Sequence, residues 1–140
     1  MTATALISQQ ISEVIQHTKT TSPPTIRVGS DDYLDIVLAE KKDIEGISTR
    51  LAALSDNIIQ LTNADAGQMA DLISELRDLF ASGTRLHDRY VKSVLGVALK
   101  TCLEHFRSEM GQIKEIIDDY ELVQVTIKKN SKLQALLDQL

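Results

Sequence analysis

The sequence predicts an all-α protein, an antiparallel helical bundle or helical hairpin with two long coiled-coil seams, on three observations. Ile44, Ile47, Leu51, Leu54, Ile58 and Leu61 recur at alternating steps of three and four, the spacing that lines one side of a helix and requires a helical partner. A second seam runs through Leu99, Leu103, Phe106, Met110, Ile113, Ile117 and Tyr120. The composition is 43% hydrophobic but only 4% aromatic, with no Trp, which suits packed Leu, Ile and Val helices better than a sandwich or an aromatic-lined pocket.

Each element has a local reason. Leu6, Ile7, Ile11, Val14 and Ile15 line one side of a short amphipathic helix, with Gln9, Gln10, Glu13 and Gln16 opposite. Pro23 and Pro24 then interrupt a Thr- and Ser-rich stretch, because proline lacks the amide donor and restricts its predecessor. Residues 1–29 therefore read as an N-terminal helix and linker, and residues 30–140 as the bundle domain. Thr25–Val28 alternates apolar and polar like a brief extended segment.

Ser30 is the expected N-cap of helix two, with Asp31, Asp32 and Asp35 at the positive end of its dipole. That helix is expected to run to about Thr62 and to stop at the Asn63–Gly67 turn cluster. Asp65 and Gln68 form a capping-box pattern ahead of Met69, Leu72, Ile73, Leu76, Leu79 and Phe80. Helix three is expected to end near Ser82–Gly83, and Thr84 to cap helix four. Val94–Leu99 is apolar on every side and is the expected centre of the core. Gly96, costly in a helix interior, points there to close helix approach.

After Tyr120, the run Leu122, Val123, Val125, Thr126 and Ile127 brings β-branched residues into a helical context. Two readings fit: a fraying helix end, or a short β ribbon with Thr25–Val28, the first being the simpler. Ser131 and Gln134 then cap a final helix carrying Leu133, Leu136, Leu137 and Leu140. Short connections at 63–67 and 82–84 make helices two, three and four antiparallel neighbours. Helix three, at about seventeen residues and about 1.5 Å per residue, covers only half of helix two. The uncovered seam predicts a homodimer.

Composition narrows the function classes. The 140 residues carry a formal charge of −5, which argues against a general nucleic-acid binder. The first 29 and the last 19 residues are net positive and everything between is net negative. The single cysteine, Cys102, excludes an internal disulfide framework and fits a reducing, cytoplasmic setting. The N-terminus has neither a basic region nor a continuous apolar run, so neither a cleaved signal nor a membrane span is expected.

Candidate chemistry is sparse. His17, His87 and His105 lack the paired Glu-x-x-His pattern of di-iron bundles, and no metal or cofactor is expected. Cys102 and His105 share a helical face, but the thiol's neighbours are Leu99 and Leu103, so it reads as a buried small hydrophobe. Acidic pairs such as Glu40 with Asp43, Glu75 with Asp78 and Glu115 with Asp118 leave a metal-dependent nucleotide hydrolase as one alternative. No Gly-rich phosphate loop, nucleophile elbow or paired CxxC is present.

Lys100, Arg107 and Lys114 repeat every seven residues beside the second seam, where coiled coils select partners by charge. Lys128, Lys129 and Lys132 make a small basic patch before the last leucines. The expected function is a non-enzymatic protein-interaction module, an adaptor, assembly factor or regulatory subunit acting as a helical homodimer. Its seams would dimerise, and its N-terminal helix and C-terminal leucines would dock a protein partner. A structural component of a secretion or phage apparatus is the other alternative.

Overall fold

Local capping and apolar periodicity resolve into four helices in the computed structural model, which describes residues 2–140. They are α1 (Ala3–Thr20), α2 (Tyr33–Ile59), α3 (Ala66–Val91) and α4 (Lys100–Asp138). No strand forms among the described residues, and Val123–Ile127 continues α4, so the ribbon with Thr25–Val28 is not made.

Capping decides several boundaries. The Thr2 hydroxyl accepts the Ala5 amide and starts α1. Asp65 and Gln68 form the reciprocal capping box expected for α3. Ser30 does not cap α2: its hydroxyl and amide both donate to the Arg27 carbonyl. The turn pivots on Gly29 at φ 92°, a conformation open to glycine, and delays the helix to Tyr33.

The largest departure from expectation is the break between the third and fourth helices. α3 does not stop at Gly83 but runs 26 residues to Val91. Thr84 is interior, and its hydroxyl donates back to the Phe80 carbonyl instead of capping a new helix. At Gly83 the helix passes close to α4: a Cβ would lie 2.5 Å from Met110 Cε, the far end of a flexible side chain. Val94–Leu99, expected as a buried helix, is the connection itself. Its Leu95 and Leu99 are buried whereas Val94 and Val97 face solvent. The Ser93 hydroxyl ties the turn by donating to the Tyr90 carbonyl and accepting the Leu95 amide.

The order around the bundle is α1, α2, α4, α3, with α2 and α3 diagonal, as are α1 and α4, and neither diagonal pair in close backbone approach. Helices two and three are therefore not the antiparallel neighbours that their short connection predicts. Pairs such as Asn57 with Gln10 and Arg77 with Glu121 set α1 antiparallel to α2, and α3 antiparallel to α4. Ser8 with Glu75 and Thr18 with Ser82 align α1 and α3 in parallel.

One core joins all four helices, with Tyr90 and Phe106 its bulkiest fully buried members. Each fully buried large aliphatic or aromatic side chain contributes about 1.5–3 kcal/mol over exposure. Ile7, Ile11 and Val14 of α1 are buried in that same core, so α1 is packed with the bundle and is not a free docking helix.

Candidate protein-interaction surface

The seams come first, because the sequence nominates them as the interface. Ile44, Ile47, Leu51, Leu54 and Ile58 of α2 are buried, as are Leu103, Phe106, Met110, Ile113 and Ile117 of α4. Leu61 and Tyr120, at the ends, are half-buried against the same core. A full-length α3 and the packing of α1 on α2 supply within one chain the cover that a second chain was expected to provide. The seams are bundle core, not free dimer faces.

The nominated pairing charges do not bridge to α2 either. Lys114 pairs with Asp118 on its own helix at 3.0 Å, and Lys100 and Arg107 enter no ion pair among the described residues. The one ion pair between helices there joins Arg77 of α3 to Glu121 of α4, at 2.8 Å and half exposed. Pairs of that exposure are worth about 0–1 kcal/mol.

Buried polar groups are mostly structural. The Tyr90 hydroxyl donates to Glu40, joining α3 to α2. The Arg89 guanidinium donates to the Thr18 and Thr21 carbonyls at 3.0 and 3.2 Å, satisfying the end of α1 that lacks intrahelical partners. Cys102 is buried with its thiol 3.7 Å from the Lys41 carbonyl. Burial pushes the thiol's pKa up, and Glu45 adds to the effect, which works against thiolate chemistry.

His105 lies 4.0 Å from Glu109 on the same helix. Among the described residues no three His, Cys, Asp or Glu side chains converge as a metal set would. A groove of about 480 Å³ between α3 and α4 has Phe80, Phe106 and Met110 on its floor and His87, Arg107 and Lys114 at its rim. Thr84 and Asp88 also line it, and the Thr84 hydroxyl donates to the Phe80 carbonyl.

The surface that stands out is the end of α4. The helix is 39 residues, about 58 Å at 1.5 Å per residue, and no residue after Ile117 is buried. Leu122, Val123, Val125, Ile127, Leu133, Leu136, Leu137 and Leu140 are each at least half exposed. These eight are half of all the exposed large apolar residues identified, a concentration that makes the arm the candidate interaction surface. The arm separates from the core because its bundle-facing positions turn polar: Tyr120 is followed on that face by Gln124, Lys128 and Ser131.

Part of the arm's apolar pattern repeats at eleven, Leu122 with Leu133 and Val125 with Leu136, and Leu137 and Leu140 extend the row from Thr126 and Lys129. Steps of three, four and four average close to the natural α-helical period, so the stripe stays on one side of a nearly straight helix. That repeat was the sequence sign of one uninterrupted helix. Reading Ser131 as a cap splits it in two, whereas Gln134 instead bonds Asp138 one turn on.

Comparison with known protein families, with curated proteins and with solved structures finds no match to this chain.

Proposed function

We propose that this chain is a non-enzymatic protein-interaction module acting as a helical homodimer, with the four-helix bundle as scaffold and residues 122–140 as the docking element. The observation that supports it is the exposed apolar repeat on an arm that contributes nothing to the core. A helix that leaves such a stripe in water gains by burying it against another helix. This reading keeps the dimer expected from the sequence but moves its interface from the seams to the arm.

The test is absolute mass by light scattering coupled to size exclusion, over a hundredfold range of concentration. The full chain is expected near twice its 15.5 kDa at the upper end of that range, and the Leu133→Asp/Leu136→Asp variant near the single-chain mass, with the melting temperature of the dilute full chain. A full chain that stays monomeric throughout, or a variant that dimerises equally well, overturns the proposal.

A further inference from the structure

The outer face of α4 carries a second feature beside the arm. Between α2 and α4 lies a groove of about 450 Å³, with Ser55, Ser108 and Gly111 leaving room at its floor, Ile59 and Ile116 on its walls, and Glu115 and Asp119 at its edge. Ser55 is 1% exposed, yet its Oγ has no hydrogen-bond partner, an unusual state for a buried hydroxyl. Neither Glu115 nor Asp119 belongs to an ion pair among the described residues.

We propose that this groove receives the arm of a second copy, so that two α4 helices pair antiparallel about Leu122 and Val123 and each arm fills the other's groove; the assignment rests on the homodimer reading above. Helical periodicity puts Ser108, Gln112, Glu115, Asp119, Leu122, Thr126, Lys129, Leu133 and Leu137 on one face of α4. The first half of that face is polar and acidic, and the second half carries three leucines and a lysine. Turned antiparallel about Leu122 and Val123, each half meets its complement. Leu137 faces Ser108, Leu133 faces Gln112, and Lys129 faces Ile116 between the carboxylates of Glu115 and Asp119.

Charge selects this arrangement over the simpler one. Pairing arm on arm would gather Lys128, Lys129 and Lys132 of both copies, against one acid per arm, Asp138. Arm in groove instead sets the positive segment against the negative body of the partner. The contact is isologous and closes as a two-fold dimer without leaving a free arm to extend it.

Charge exchange in the full-length chain tests it. Lys129→Glu alone, and Glu115→Lys/Asp119→Lys alone, are each expected to weaken dimerisation by about tenfold or more, because repulsion replaces attraction at both symmetric contacts. Mixed in equal amounts, the two variants restore both contacts at once, and the heterodimer is expected to recover the affinity of the unmodified chain. Leu122→Cys, next to the two-fold axis, is expected to oxidise to a covalent dimer. A mixture as weak as its parts, or a Leu122→Cys chain that does not cross-link while dimeric, overturns the groove assignment and leaves the homodimer standing. A full chain that never dimerises overturns both.

Discussion

Tyr90 does at one residue what the bundle does at large, joining helices distant in sequence. Its ring is fully buried, and its hydroxyl donates to Glu40 across from α3 to α2. Burial first, and the bond to Glu40 second, push the phenol above the ordinary tyrosine range. The folded state therefore disfavours the phenolate. That contribution to stability is present below about pH 10, the unfolded tyrosine value, and is lost as pH rises past it. Tyr90→Phe is expected to cost about 1–2 kcal/mol at neutral pH, low in the range for a bond to a charged acceptor because Glu40 is partly solvated. Urea denaturation from pH 7 to 11 checks both effects: the variant should start less stable and lose less as pH rises. An identical alkaline decline in the two proteins would remove Tyr90 as its source.

At the scale of elements, glycine gives the sharpest contrast. Gly96 sits in the connection between α3 and α4, where a Cβ would lie 2.5 Å from the Val91 carbonyl oxygen and 3.0 Å from that of Tyr90. These are backbone atoms and have no rotamer to change, so Gly96→Ala is expected to destabilise by about 1–3 kcal/mol. Gly46, inside α2, has open space around the same position, and Gly46→Ala is expected to stabilise by about 0.5–1 kcal/mol. Chemical denaturation of the pair separates steric demand from helix propensity, and equal shifts would contradict it. The same glycines mark what was legible in the sequence. The period of three and four carried α1, α2, the start of α3 and the buried faces of α2 and α4, because burial follows that period directly. The α3–α4 boundary was not legible, since Gly83 followed by Thr84 has the chemistry of a helix end and only Phe106 and Met110, more than twenty residues on, show why the helix continues. Likewise Val94–Leu99 has the composition of a core helix, and its role as a connection depends on Ser93 and Gly96 working together.

For the whole molecule, the division of labour between bundle and arm is itself testable. The identified core draws on residues from Ile7 to Ile117, with Tyr120 packed at its edge, and the connection from the bundle toward the arm is a half-exposed ion pair, Arg77 with Glu121. A chain ending after Glu121 removes eight exposed apolar side chains and no buried one. Surface changes of that kind alter stability by less than about 0.5 kcal/mol, so the shortened chain is expected to melt with the full chain in dilute solution, where both are single copies. As concentration rises the two should part: the full chain gains stability by mass action as it associates, and the shortened chain does not. Calorimetry over a hundredfold concentration range reads this difference. A shortened chain that melts lower at every concentration would make the arm part of the fold, whereas one that gains stability in step with the full chain would place the contact between copies on the bundle.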